Sequence, residues 1–256
     1  MTRSADLPPL YELVTLEGTP DVCAEAIRLA GQGADEGTLV WAHRQTAGRA
    51  DHQAGWLGAP GGLLCALILR PETRVSTATE LVMVAAVSLG AALADIVSPM
   101  TRLNYRWPGT VLLNEGKAGK VWLNMGPVFN DQAPWCVLGV GVNIVQPPPA
   151  LGFAAASVEQ EGDCRTSSVD VLEHFARHFL GWINRWAEEG FEPVRAAWLQ
   201  RASGMGEHVR VALDGGAVSG TAAEIDAEGA LVVEVAGQGP RRIALTDYLV
   251  RTEPSG

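Results

Sequence analysis

The chain has 256 residues and a net charge of −10, with 47% apolar and 19% charged side chains. The length fits one main domain with a small appendage, and the composition excludes global disorder. The acidity excludes a fold-wide phosphate-binding surface and tight non-specific nucleic-acid binding, though not a local basic pocket.

Residues 1–9 read as a loose tail, without the apolar run of a signal peptide. Residues 11–17 alternate and predict a strand. Residues 20–30 predict a helix with Thr19 as N-cap and Pro20 in the first helical position. A short apolar strand is expected over 38–43. Residues 45–62 are glycine-rich and aperiodic, a length of loop that is usually functional inside a compact domain. Residues 63–69 form a continuous apolar strand of the kind buried on both faces. Residues 77–97 predict an apolar helix whose longest run, 81–94, is too short to span a bilayer. Strands follow at 105–107, 111–113, 120–125 and 135–144, the last ended by Pro147, Pro148 and Pro149. Residues 168–202 read as helix, broken near Gly190. This order lacks strict βαβ alternation and points to the α+β class. Over the last fifty residues, short strands at 207–211, 218–225, 230–235 and 241–244 are separated by glycine turns. They suggest a small barrel of about five strands, with a boundary near 203–206 and domains 1–203 and 204–256.

Six places could carry chemistry. The basic residues are 17 arginines and only two lysines, Lys117 and Lys120. The pair reflects either arginine-rich codon usage or a site that needs a compact point charge in place of a planar fork. Gln45-Thr-Ala-Gly48-Arg49 opens the long loop, where glycine N–H groups and an arginine suit a carboxylate or phosphate; a plain surface loop is the alternative. A hairpin joining Arg106-Trp107-Pro108 to Lys117 would bring two cations together, which is costly unless an anion binds between them. Both could equally face solvent. Gly139-Val-Gly-Val-Asn143 ends a strand, so Asn143 either faces a cleft or caps the turn; it is not a dinucleotide fingerprint. His174 and His178 are an i,i+4 pair without an obvious third ligand, so no metal site is expected. Cys23, Cys65, Cys136 and Cys164 show no CxxC spacing and fit free thiols in a reducing cytoplasm. A cysteine nucleophile stays open.

Taken in order, these segments resemble the biotin protein ligase family within the wider biotin and lipoate ligase superfamily. Residues 45–49 followed by Trp56 resemble its glycine-arginine loop, and the strand over 63–71 ends in Leu-Arg-Pro. Arg106-Trp107-Pro108 resembles Lys-Trp-Pro-Asn-Asp, and Lys117-Ala-Gly119 the lysine segment behind it. Residues 139–143 resemble Gly-Ile-Gly-Ile-Asn, while Gly190-Phe191 and Trp198 fit the helix pair leading out of the catalytic domain. Residues 220–234 are similar to the C-terminal domain.

The resemblance implies a mixed-sheet catalytic domain with an SH3-like β-barrel behind it. It implies a two-step reaction, in which biotin or a related acid forms an acyl-adenylate with ATP and passes to a lysine of a biotinyl or lipoyl carrier domain. It places Lys117 at the acid carboxylate and α-phosphate as the catalytic residue, with Thr19, Gln45, Gly48, Arg49 and Gly119 at the acid. Trp56, Arg106, Trp107, Pro108 and Asn143 would border ATP, and Mg²⁺ would offset phosphate charge. This sequence departs from the pattern at five places. Ala50-Asp51 replaces Gly-Arg, Gly109-Thr110 replaces Asn-Asp, and Gly18-Thr19-Pro20 replaces Ser-Thr-Asn. Lys120 stands in place of glycine and Asn124 in place of glutamate. Two alternatives follow: a non-adenylating binding protein, or a cysteine acyltransferase using Cys65 or Cys136. The first strand begins near residue 11, so no DNA-binding domain, nucleic-acid partner or membrane partner is expected; a homodimer stays open.

Overall fold

Leu63–Leu69 (β3) is buried at every position, as a strand covered on both faces must be. It lies at the centre of a seven-stranded mixed sheet in the computed structural model, which describes residues 4–46, 58, 60–147 and 154–250. The other strands are β1 (Glu12–Leu16), β2 (Thr38–Ala42), β4 (Leu103–Arg106), β5 (Thr110–Leu113), β6 (Gly116–Met125) and β7 (Cys136–Val142). Their order is β1-β2-β3-β7-β6-β5-β4. Only β1 and β2 pair in parallel. The α+β expectation holds.

Helices cover the two faces unequally. On one face lie α3 (Leu81–Ala94) and α5 (Ser168–Glu189), packed against Leu67, Val121, Leu138 and Val140. Helix α3 is apolar all round because it is buried all round. Its Gly90 faces Tyr105, whose ring Cε1 would stand 2.6 Å from an added Cβ. A short helix α2 (Val75–Ala78) precedes it. Together they form a stretch, Val75–Ala94, apolar enough by composition to cross a membrane but 78% buried inside this fold. Helix α5 presents one apolar stripe, Val171, Leu172, Phe175 and Phe179, and starts on a capping box between Ser167 and Asp170. Each fully buried side chain of this kind contributes roughly 1.5–3 kcal/mol.

Among the described residues the other face carries a single helix, α1 (Val22–Gly31), over Val40, Ala66, Trp122 and Val137. The expected cap was two residues early. Asp21 is the N-cap, its Oδ1 accepting from the Cys23 N–H at 2.9 Å, while the Thr19 hydroxyl donates to the Asp21 carbonyl at 3.2 Å. A carboxylate competes better than a hydroxyl for the first helical N–H groups.

A short helix α4 (Val158–Gly162), unforeseen in the sequence, follows β7. Gly190 ends α5 at φ 81°, and α6 (Glu192–Leu199) leads into the C-terminal region. There, four antiparallel strands and one helix replace the expected five-stranded barrel. They are β8 (His208–Leu213), β9 (Gly216–Ile225), β10 (Leu231–Val235), β11 (Gly239–Ile243) and α7 (Leu245–Leu249), in sheet order β11-β10-β9-β8. Leu245 and Tyr248 of α7 pack against the core. The backbone of Tyr105 grips the connection: its N–H donates to Arg201 O and its carbonyl accepts from Ser203 N–H, both at 2.7 Å.

Candidate acid and nucleotide site

Strand directions place β1 and β2 ending, β3 beginning, β7 ending and β6 beginning at one end of the sheet. Helix α1 starts there too. Thr19 and Gln45 meet in a parallel bridge, fastened by Thr19 N–H to Arg44 O at 3.0 Å and Thr46 N–H to Thr19 O at 2.9 Å. Gln45 Oε1 also accepts from Val22 N–H at 3.4 Å, in the first turn of α1. Two residues expected at the acid are therefore neighbours. Gly48, Arg49, Ala50, Asp51 and Trp56 lie outside the described residues.

Lys117 and Lys120 are three apart, so an uninterrupted strand would point them to opposite faces. A bulge prevents this. Val111 pairs with Gly119 but Leu112 pairs with Lys117, which leaves Ala118 as the extra residue. Both lysines then face α1's side of the sheet. Gly119 turns to the other side, where a Cβ would stand 3.0 Å from Leu89 of α3. Gly119, expected beside the acid, therefore could offer it only its backbone.

The register also corrects the expected pairing of Arg106 with Lys117. Arg106 lies across from Thr110, Thr110 from Lys120, Lys120 from Gly141, and Gly141 from Leu64. Lys117 shares a row with Leu112 and Asn104 instead. One sheet face thus carries three cations, Arg106, Lys117 and Lys120, beside the glycines 139 and 141. Lys120 is 9% exposed. Burial, and then the neighbouring Lys120 charge, push the Lys117 ammonium down to about 8. Such a group gains from an incoming anion, which restores its charged form.

Asn143 closes the row. Its N–H donates to Ala118 O at 2.8 Å, and its Nδ2 donates to Ala156 O at 3.0 Å and Lys117 O at 3.3 Å. Lys117 N–H in turn donates to Ala154 O at 2.9 Å. Asn143 therefore pins the backbone that carries Lys117. Its Oδ1 is buried and has no partner among the described residues, which leaves an acceptor for a ligand donor.

Trp107 points elsewhere. Its Nε1 donates to Gly229 O in the turn between β9 and β10 at 2.9 Å, and its ring lies 4.8 Å from that of Tyr248. That indole N–H serves the junction with the C-terminal sheet. The Trp107–Pro108 peptide is cis. Gly109 is held by packing, because a Cβ there would meet Val121 O at 2.6 Å.

On α1's side, β4 to β7 present Arg106, Thr110, Lys117, Lys120, Asn124 and Asn143 and no carboxylate. This donor set fits phosphate or carboxylate and does not fit direct coordination of Mg²⁺, which takes carboxylate and phosphate oxygens. The cysteine alternative fails on burial. Cys65 and Cys136 are 1% and 0% exposed, and burial pushes the Cys136 thiol up to about 12 and Cys65 higher still. Neither offers a thiolate. Sequence reasoning singled out Lys120 with Lys117 through the chain's two-lysine count but gave Lys120 no role of its own.

Two family models cover this arrangement. The biotin/lipoate A/B protein ligase family matches residues 7–200, and the biotin protein ligase C-terminal domain matches residues 204–245. A biotin--[acetyl-CoA-carboxylase] ligase of Paracoccus denitrificans is 34% identical over 227 residues, 85% of this chain and 92% of that protein. The bifunctional ligase/repressor BirA of Bacillus subtilis is 30% identical over 87% of this chain and 69% of its own. Among solved structures, a biotin protein ligase-like protein of unknown function from Silicibacter sp. TM1040 superposes with a TM-score of 0.80. It is 26% identical over 97% of this chain and 100% of that one. The Aquifex aeolicus biotin protein ligase in complex with biotin and ATP superposes at 0.73, with 22% identity over 91% and 95%, and shares the fold. Sheet order, the C-terminal four-stranded unit and the matched span together place the chain in the biotin/lipoate A/B protein ligase family.

Proposed function

We propose that this chain is a biotin protein ligase: it joins biotin, or a closely related carboxylic acid such as lipoate, to ATP as an acyl-adenylate and transfers the acyl group to a carrier-domain lysine. The carrying observation is the bulge at Ala118, which sets Lys117 and Lys120 on one sheet face with Gly141 and beside Asn143. In the first step a carboxylate oxygen of the acid attacks the α-phosphorus and pyrophosphate leaves. In the second the carrier amine attacks the acyl carbon, AMP leaves, and the amine gives up its proton. Lys117 touches the carboxylate and α-phosphate and stabilises the charge that gathers between them. Thr19 and Gln45 hold the far end of the acid, joined by Gly48 and Arg49. Arg106 faces the phosphates, Trp56 and Pro108 border the nucleotide, and the Asn143 Oδ1 accepts a ligand hydrogen bond. Mg²⁺ would arrive with ATP and offset phosphate charge.

The units divide at 203/204, beyond the grip of Tyr105 on the connection. A reducing cytoplasm, where carrier domains, ATP and free thiols coexist, is the compartment this reading implies.

A second reading, acid binding without adenylation, is favoured by one feature: Lys120 occupies the face where relatives of this family carry glycine. ATP–pyrophosphate exchange separates the two. With biotin, lipoate and octanoate tested in turn, exchange that depends on one acid and is lost in Lys117→Ala supports the ligase. Folded protein that binds an acid regardless of ATP, with no exchange, overturns it.

A further inference from the structure

Helix α5 places His174 and His178 one turn apart on the same face. Helix α3 ends at its C-cap Asp95, and the packing of α3 along α5 carries that carboxylate to the two imidazoles. Asp95 Oδ2 lies 3.2 Å from His174 Nδ1 and 2.7 Å from His178 Nε2. One donor atom from each residue falls within 4.8 Å of the other two. The side chains are 47%, 32% and 33% exposed for Asp95, His174 and His178, so an ion can reach all three. The third ligand that the histidine spacing lacked in sequence thus comes from a residue 79 positions from His174.

Two imidazoles and a carboxylate are the donor set of zinc-class ions, whereas calcium and magnesium select oxygen alone. Around tetrahedral zinc, with bonds of about 2.0–2.2 Å, ligand atoms stand about 3.3–3.5 Å apart. The His174 pair is already close to that spacing. The His178 pair must open by less than an ångström, which exposed side chains reach by small rotations. Both imidazoles already contact the one Asp95 carboxylate oxygen.

We propose that Asp95, His174 and His178 form a binding site for a zinc-class divalent cation, with water in the remaining position, fastening the end of α3 to α5. The site lies on the α3 side of the sheet, across from Lys117, so it is independent of the acid site.

The test is calorimetric titration of the full chain with Zn²⁺ in a non-chelating buffer, beside thermal melts. One ion per chain and a raised Tm are expected. His178→Gln and Asp95→Asn should each weaken binding about tenfold or more, while Cys164→Ser and His208→Gln leave it unchanged. Glutamine keeps a donor for Asp95, so the helix contact survives the change. The absence of saturable binding, or binding retained in a His174→Gln/His178→Gln double variant, overturns the proposal. Should the variants melt early, imidazole NMR of the unaltered chain decides. Zn²⁺ must shift the rings of His174 and His178, and shifts confined to other histidines refute the site.

Discussion

The two faces of the seven-stranded sheet are built on opposite principles. Toward α3 and α5, the strands send out leucine and valine almost without interruption, and every one is buried. Toward α1, the same strands carry an apolar patch and Gly139 beneath the helix. Beyond it they present Gly141, Asn143, and the chain's only two lysines. The first face binds the fold together through burial. The second gives up apolar packing to keep cations and a narrow glycine floor, and burial lowers the Lys117 ammonium there. Stability and function are thus separated by the thickness of one sheet.

That separation can be broken most strongly from the packed side. Phe175→Ala removes a side chain that is 1% exposed between α3, α5 and the sheet. It should cost about 3–5 kcal/mol in urea unfolding, with little change in the KM of whatever chain remains folded. Lys117→Ala should do the reverse. Adenylate formation should fall on the order of 10²–10³-fold, with no loss of Tm at pH 7. The sign follows from the lowered ammonium. The unfolded chain binds more protons between about 8 and the ordinary 10.5, so this group's contribution to stability rises with pH across that window. Below it the folded chain carries the full cost of a buried charge, and the alanine variant does not.

Gly139→Ala tests the floor on which the two principles meet. An added Cβ would overlap the Trp122 ring and stand 2.6 Å from Cys23 Sγ beneath α1. About 1–3 kcal/mol of destabilisation is expected from overpacking, read from the unfolding midpoint. The smallest effect sharpens the comparison. In the free enzyme kcat/KM should fall as pH rises through about 8, where Lys117 loses its proton. Lys120→Gln removes the like charge and should move that limb to higher pH. A limb that stays in place would show that burial alone sets the Lys117 ammonium.

Much of the molecule was legible in the sequence, for reasons that differ by element. The central strand was read to the residue, because seven consecutive apolar side chains leave a strand nowhere but the middle of a sheet. The break at Gly190 was legible because only glycine takes φ 81° without strain. Thr19 was misread as a cap because Asp21, two residues on, offers the stronger acceptor. The four C-terminal strands were located because glycine turns separate them, whereas the helix over 245–249 was not foreseen.

The sequence by itself determined the apolar layers, the class of fold and the motif order that marks the family, since hydrophobic periodicity and turn chemistry are local. Only the tertiary structure decided which chemical groups meet. The bulge that sets Lys117 and Lys120 on one face is a property of pairing with β5, and strand alternation predicts the opposite. The Trp107 indole N–H met Gly229 through a contact 122 residues away, and Asp95 reached two histidines by the packing of two helices. Such meetings depend on register and helix packing, which are set by the whole core at once and are not written in any one segment.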